Sequence, residues 1–185
     1  SGFYTSKINT KNISVLKLAK NKLIQMNKIK QSVDSIIHYI IYKNLKKIKF
    51  IAHTHSTFAT ILAQSEIEPE CTGTTHADYF FNKIPLSKRL KIFNNNNYEE
   101  KLGISILERL KKEKHQPPGM LIRNHGLIAW GKTSNETIEN LIAIEKICEL
   151  YYYSRIIKKN KKIPKNLHNL HYFRKHGKKK TYGQN

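Results

Sequence analysis

The segment IAHTHSTFATILAQ, residues 51–64, carries two histidines one residue apart, where a short apolar run ends. Side chains on an extended strand alternate between its two faces, so His53 and His55 can point to the same side. Two imidazoles on one side of a strand can bind a single metal ion. A His-x-His pair also arises by chance, so this pair alone leaves metal binding open.

A third histidine, His125, lies in the RNHG segment between two short apolar runs. We expect a tight turn there, from which the imidazole can point into a cleft. Three histidine ligands and an open fourth position are typical of a catalytic zinc site. Taken by itself, a turn histidine more often bonds to nearby backbone, so both interpretations stand at this point.

The segment GTTHADYFFNKIP, residues 73–85, places Thr74, His76 and Asp78 close together. Hydroxyl and carboxylate groups suit substrate binding and proton transfer. An ordinary turn with an Asx hydrogen bond explains the same composition. Because the segment has no clear periodicity and ends at Pro85, we expect a loop with a brief strand.

Short β-branched and apolar runs predict the strands that must position these residues. The predicted strands are 13–18, 49–52, 120–122 and 127–130.

Helix signals separate these strands. Asp34 is expected to cap a helix over SIIHYIIYK, and Thr133 forms a capping box with Glu136. Two further helices are expected over 57–64 and from Asn97 onward. The helix after Thr133 is predicted to bury the face formed by Ile138, Leu141, Ile144, Cys148 and Tyr151. Strands that alternate with helices indicate an α/β fold.

The length and the cysteine content bound the class of protein. A chain of 185 residues suits one domain, and its sequence has no apolar run of 18 residues. Cys71 and Cys148 lie too far apart in sequence to suggest a disulfide framework. We therefore expect a cytoplasmic protein without a membrane segment.

The formal net charge of +21 is the strongest compositional feature. Such a charge is typical of proteins that bind nucleic acid or anionic surfaces. Lysine, however, occurs together with abundant asparagine and isoleucine, and a bias towards AT-rich codons explains all three residue types. We expect no nucleic acid partner, and an electrostatic attraction for anionic substrates such as sugar phosphates.

Five strings in order carry a resemblance to a known family: HTHSTFATILAQ, GTTHADYF followed by IP, GMLIRNHGLIAWGK, HYFRKHG and the terminal YGQ. Together they resemble the sugar-phosphate 4-epimerases of the class II aldolase and epimerase family. The resemblance implies one domain over residues 1–185, without the family's N-terminal portion. It also implies a central, mostly antiparallel sheet flanked by helices. Fuculose phosphate aldolases of this family have a glutamate at the position of Asp34 and lack GTTHADYF, which favours an epimerase.

The resemblance also implies the roles of individual residues. One zinc ion per subunit would be bound by Asp34, His53, His55 and His125. Proton transfer would fall to Asp78 and to Tyr182, which reaches the site of a neighbouring subunit in a homotetramer. The remaining positions implied to contact the sugar-phosphate substrate are Gly2, Ser32, Thr74, His171 and Arg174. Val33 replaces one of two phosphate-binding serines of the family, and valine donates no side-chain hydrogen bond.

The implied reaction is the interconversion of L-ribulose 5-phosphate and D-xylulose 5-phosphate at C4, by retro-aldol cleavage and re-formation of a carbon-carbon bond. Such a reaction belongs to pentose breakdown, for example arabinose degradation. Two alternatives stay open: a class II aldolase or dehydratase acting on another sugar phosphate, and an inactive family member that serves as a binding or scaffold protein.

Overall fold

The strand-forming segments of the chain pair as antiparallel strands in two separate sheets. The computed structural model describes residues 9–20, 22–90, 97–157, 162–178 and 180–181. It divides the chain into two units. Unit 1 comprises Ser1–Lys46 and Leu90–Ile104, and unit 2 comprises Lys47–Arg89 and Ser105–Asn185.

Unit 1 contains a two-stranded sheet and one long helix. A short 3-10 helix, Thr10–Asn12, precedes β1 (Leu16–Leu18) and β2 (Leu23–Gln25), and α1 (Ser35–Asn44) follows them. The buried side chains of α1 are Ile37, Tyr39 and Ile41. The Tyr39 hydroxyl donates to the carbonyl oxygens of Ala19 and Lys20, both at 3.1 Å. This aromatic side chain therefore ties α1 to the connection between β1 and β2.

Two predictions for unit 1 were partly wrong. The strand expected over 13–18 covers only Leu16–Leu18, because the side chain of Asn27 bonds the Val15 N–H and the Ile13 carbonyl where a neighbouring strand would otherwise pair. Helix α1 does start after Asp34, but the Asp34 side chain makes no capping hydrogen bond. The backbone of Asp34 is already helical, whereas a residue that caps a helix with its side chain has an extended backbone.

Unit 2 is built on a three-stranded antiparallel sheet. Its strands are β3 (Phe50–Thr54), β4 (Gly119–Ile122) and β5 (Gly126–Gly131), in the order β3-β5-β4. Every residue of β4 and β5 is buried, as expected for strands covered on both faces. The predicted strands around RNHG are confirmed, and β3 extends past the predicted 49–52 to include His53.

The helices of this unit are α2 (Thr57–Gln64), α3 (Thr74–Ala77), α5 (Ser134–Ile157) and α6 (Lys165–His176), and α4 (Tyr98–Leu110) contributes its second half. Among the helices of unit 2, α2 and α5 pack against this sheet. A core of apolar side chains from α2, β4, β5 and α5 forms around Leu62, Leu127 and Ile144. The predicted α/β class, with antiparallel sheets flanked by helices, is confirmed.

The buried face of α5 includes the predicted Ile144, Cys148 and Tyr151 but differs from the prediction in its first two turns. Ile138 is 54% exposed, while Thr137 and Asn140 are buried. The Asn140 amide donates to the Trp130 carbonyl at 2.9 Å, and the Thr137 hydroxyl donates to the Thr133 carbonyl at 2.9 Å. These bonds offset the cost of burying the two polar side chains. The spacing of apolar residues does not reveal that Thr137 and Asn140 are buried.

The N-terminus of α5 follows the predicted capping box closely. The Glu136 N–H donates to the Thr133 hydroxyl at 3.1 Å, as expected. The Glu136 carboxylate accepts from the N–H of Lys132 at 2.7 Å, one residue earlier than the standard box.

Two helices were not predicted. Residues 74–77 form α3, where we expected a loop with a brief strand. Helix α6 follows Pro164 and buries only Tyr172, so its sequence shows little apolar periodicity. Among the described residues, none of the helices combines the length and the apolar character that a membrane crossing needs.

Replacement of Ile144 by alanine should destabilise the protein by about 2–5 kcal/mol, because Ile144 is fully buried in the core and the substitution leaves a cavity. Urea unfolding followed by circular dichroism measures the change. Ile142 lies on the same helix but is 61% exposed, so Ile142→Ala should change stability by less than about 0.5 kcal/mol. Equal losses in the two variants would contradict this assignment of the core.

Candidate metal centre

His53 lies on β3, opposite Ile128 of the neighbouring strand β5. Its Nδ1 is 2.8 Å from the Leu127 carbonyl oxygen. Since a carbonyl only accepts, this contact places the ring proton on Nδ1 and leaves the lone pair of Nε2 free to bind a metal. A backbone hydrogen bond of this kind orients many metal-binding histidines.

The Nε2 atoms of three histidines converge on one point. The distances are 3.2 Å from His53 to His55, 3.3 Å from His55 to His125, and 3.0 Å from His125 to His53. Nitrogen ligands of a tetrahedral zinc ion lie about 3.3 Å apart, since each is about 2 Å from the metal. Within the described ranges, these three histidines form the group of side chains able to hold a metal ion.

His125 is positioned by a turn with an unusual backbone. Asn124 has φ of 56°, in the left-handed region that asparagine tolerates better than most residues. Its N–H donates to the Ala63 carbonyl at 3.0 Å, and Arg123 pairs with Glu66 at 2.7 Å. Arg123 and Asn124 therefore fix the turn to the last turn of α2 and to the residues directly after it.

Gly126 completes this turn, and its role was not foreseen from the sequence. A Cβ atom at this position would lie 2.6 Å from the Thr54 carbonyl oxygen and 2.9 Å from Cδ2 of His55. Only glycine therefore allows β5 to start this close to the HTH segment. In the sequence, the glycine directly after the turn histidine was the signal that could have indicated this close approach.

A second group of predicted residues assembles where α3 meets α6. The Asp78 carboxylate lies 3.0 Å from Nδ1 of His171, 3.5 Å from Nη2 of Arg174 and 4.0 Å from Nζ of Lys175. Thr74 is the first residue of α3, one turn before Asp78. Helix packing thus brings together residues that are 93 positions apart in the chain. The catalytic and binding roles of these residues remain predictions.

His76 belongs to the interior of the protein. It is almost fully buried, and its Nε2 donates to the Asn82 carbonyl at 2.8 Å. Burial disfavours the charged imidazolium and lowers the pKa of His76 to about 4. Neutral His76 is therefore part of the packing between α3 and the segment that follows it.

Neither cysteine is suited to act as a nucleophile. Both have free thiols, and Cys148 is buried in the core. Burial raises the pKa of the Cys71 thiol to about 11, and it raises the pKa of the Cys148 thiol further. Both thiols are protonated at neutral pH, whereas thiolate is the reactive form.

The remaining predicted site residues lie in unit 1 or outside the described residues. Asp34 and Ser32 precede α1, and the Ser32 hydroxyl accepts from the Asp34 N–H at 3.4 Å. Gly2 and Tyr182 lie outside the described residues. The roles assigned to all four stay predictions.

Residues 1–152 match the model of the Class II Aldolase and Adducin N-terminal domain family. The chain belongs to this family. A probable L-ribulose-5-phosphate 4-epimerase of Mycoplasma pneumoniae is 35% identical to this class II aldolase-family chain over 190 residues, which cover 100% of this chain and 78% of the relative. The family and the enzymatic character predicted from the sequence are confirmed.

Solved structures of low sequence identity share the fold of this class II aldolase-family chain. An L-fuculose 1-phosphate aldolase superposes with a TM-score of 0.76 at 17% identity, over 93% of this chain and 76% of the aldolase. An aldolase II superfamily protein from Pseudomonas syringae gives a TM-score of 0.67 at 15% identity, over 92% of this chain and 66% of the other. At these identities the likeness concerns the fold alone.

Replacement of Gly126 by alanine should weaken metal binding at least tenfold, because the new Cβ must displace the Thr54 backbone or the His55 ring. Titration of the metal-free protein with Zn²⁺ against a competing chelator measures this change. A Cβ at Gly73 would meet no atom within 4 Å, so Gly73→Ala should keep the affinity of the unchanged protein. Unaltered affinity in Gly126→Ala would show that the three imidazoles do not depend on this close approach.

Protonation of His76 should destabilise the fold in mild acid. The folded pKa of about 4 lies below the usual 6.5, so the unfolded chain takes up the proton first. The stability that the protein gains by keeping His76 neutral is complete above pH 6.5. It is lost as the pH falls towards 4, by about 3 kcal/mol in total. Urea unfolding between these pH values should show a shallower pH dependence in His76→Gln than in the unchanged protein. Parallel pH profiles would contradict the prediction.

Proposed function

We propose that this chain is a zinc-dependent 4-epimerase that interconverts L-ribulose 5-phosphate and D-xylulose 5-phosphate. The convergence of the His53, His55 and His125 Nε2 atoms, 3.0–3.3 Å apart, carries the proposal. The 35% identical relative, itself a probable L-ribulose-5-phosphate 4-epimerase, supports this choice of substrate. The proposed setting is pentose breakdown in the cytoplasm.

The donor set suits zinc. Three neutral imidazoles with Asp34 as the proposed fourth ligand give nitrogen and oxygen donors, which zinc accepts in four-coordinate and five-coordinate sites. When bound, zinc would supply Lewis acidity towards the ketone oxygen of the substrate. The hydrogen bond from His53 to Leu127 prepares the chain for this role, because it fixes the ring and its tautomer before any ion binds.

The chemistry of C4 explains why an epimerase has the fold of an aldolase. The ketone at C2 acidifies the proton on C3 and leaves the proton on C4 unaffected, so deprotonation cannot invert C4. Instead a base removes the proton of the C4 hydroxyl, and the C3–C4 bond breaks with its electron pair moving towards the C2 carbonyl. Glycolaldehyde phosphate then rotates, and the C3–C4 bond re-forms on its other face as the C4 oxygen regains a proton.

Asp78 is the proposed group for proton transfer on one face of the substrate. His171 and Arg174 hold its carboxylate at 3.0 and 3.5 Å, so one oxygen is restrained in position. Tyr182 of a neighbouring subunit is proposed to act on the opposite face. The protein is accordingly proposed to be a homotetramer whose active sites lie at subunit interfaces.

Substrate binding is proposed to involve the five residues that the family resemblance implies. The candidates are Gly2, Ser32, Thr74, His171 and Arg174. The net charge of +21 would favour a doubly charged phosphate over neutral sugars during encounter. Val33 removes one hydroxyl relative to the family pattern, so the phosphate is expected to depend more strongly on Ser32.

The purified protein should convert L-ribulose 5-phosphate to D-xylulose 5-phosphate, and a strong chelator should abolish the conversion until Zn²⁺ is restored. His125→Ala should lose activity together with bound zinc. Asp78→Asn should keep zinc but lose activity about 10²–10⁴-fold, as expected when a group for proton transfer is removed. A coupled assay for D-xylulose 5-phosphate and elemental analysis of the protein measure both quantities.

Glu149 is a carboxylate on α5 that pairs only with Lys146 in the described contacts, at 2.8 Å. Glu149→Gln should therefore match the unchanged protein in both assays. Accumulation of free aldehyde without epimer would indicate an aldolase instead. Activity that resists chelation, or stoichiometric zinc without turnover, would each contradict the proposed function.

A further inference from the structure

Helix α2 begins directly after the HTHS segment, and its own first residues leave its N-terminus without a cap. Ser56 occupies the N-cap position with an extended backbone, but its hydroxyl makes no capping hydrogen bond to the helix. The first turn of α2 also contains no acidic residue. The first N–H groups of a helix have no partner inside the helix and need acceptors from elsewhere.

Glu145 of α5 supplies these acceptors. Its Oε1 accepts from the Phe58 N–H at 2.8 Å, and its Oε2 accepts from the Ala59 N–H at 2.9 Å. The Ser56 hydroxyl donates to the same Oε2 at 2.7 Å. One carboxylate thus bonds three donors at the positive end of the helix dipole, where a negative charge is most favourable.

His55 lies directly before the residues that Glu145 bonds. His53 is fixed by strand pairing and by the Leu127 carbonyl, whereas His55 lies beyond the end of β3. The next residue, Ser56, is the first one bound by Glu145. The path of the chain from β3 into α2 therefore sets the distances of the His55 Nε2 to the other two nitrogens.

The other end of this link is rigid. Helix α5 is fixed to β5 through the Asn140 side chain and the Trp130 carbonyl, and Ile144, the residue before Glu145, is fully buried in the core. The Glu145 carboxylate therefore projects from a packed helix onto the turn that carries His55.

We propose that Glu145 is a positioning residue of the metal centre, which holds His55 at ligand distance through the first turn of α2. The inference rests on the metal site of the proposed function, but it requires no particular substrate. Without the carboxylate, the first turn of α2 loses its acceptors and His55 gains freedom. Two firmly placed imidazoles would then remain where three are needed. Removal of groups that orient metal ligands typically weakens metal binding about 10–100-fold.

Glu145→Gln tests the proposal, because it keeps the size of the side chain but presents an amide NH₂ to at least one N–H or hydroxyl donor. Competitive chelator titration of the full chain should show a Zn²⁺ dissociation constant at least tenfold higher than that of the unchanged protein. The visible absorption bands of the Co²⁺-loaded protein should also change, because they report the number and geometry of ligands. Glu149→Gln, one turn further along α5, should change neither measurement.

Ser56→Ala removes one of the three donors and should give a smaller change in the same direction. In the double variant with Glu145→Gln, its effect should largely disappear, because both substitutions act on one contact. Ser56→Ala also tests the proposal if Glu145→Gln does not fold. Thermal unfolding of each metal-free variant separates stability from metal binding.

Lower stability of Glu145→Gln with unchanged Zn²⁺ affinity and an unchanged Co²⁺ spectrum would overturn the proposal, because Glu145 would then only stabilise the fold. Unchanged behaviour in every measurement would overturn it as well. If the unchanged protein itself binds no zinc or cobalt, the metal centre of the proposed function fails instead. The two failures are therefore distinguishable.

Discussion

Three imidazole nitrogens within 3.3 Å of one another set the main constraint on this molecule. Neutral histidines cannot satisfy such a cluster by themselves. The Nδ1 of His53 already donates to Leu127, so its Nε2 has only a lone pair to offer its neighbours. In a triangle of three such nitrogens, at least two must face each other with like groups, either two lone pairs or two N–H groups. A shared cation would remove this repulsion.

The three rings come from three kinds of local structure, and each has its own anchor. His53 lies on a strand and is held by strand pairing. His55 lies between a strand and a helix, next to the residues bonded by Glu145. His125 lies in a turn whose left-handed Asn124 is bonded to the end of α2. Helix α2 therefore contributes at both ends: its first turn fixes His55, and its last turn fixes the loop of His125.

Sequence patterns predicted the elements whose signals are local. The apolar runs of β4 and β5, the TFATILAQ helix and the Thr133 cap were all recognisable within a few residues. Features that depend on distant partners were missed. Helix α6 has little apolar periodicity, since it docks through polar contacts such as that of His171 with Asp78, 93 residues away. Asn140 is buried on α5 because the Trp130 carbonyl accepts from it, a partner that no helical spacing indicates.

The same distinction applies to the site. Residue type and spacing made the histidines candidates, and the family resemblance implied that they share a metal ion. Gly126 and Glu145 act through space and have ordinary sequence surroundings. The three histidines lie on β3 and on the connections from β3 to α2 and from β4 to β5, while Asp78 directly follows α3 and its partners lie on α6. In the proposed reaction these groups have different tasks, since the first would hold the ion that supplies Lewis acidity and the second would move a proton. Because separate elements carry them, a change in α3 or α6 would alter the proposed proton transfer without disturbing the three imidazoles. This separation gives a physical reason why carbon-carbon cleavage and epimerisation can share one fold.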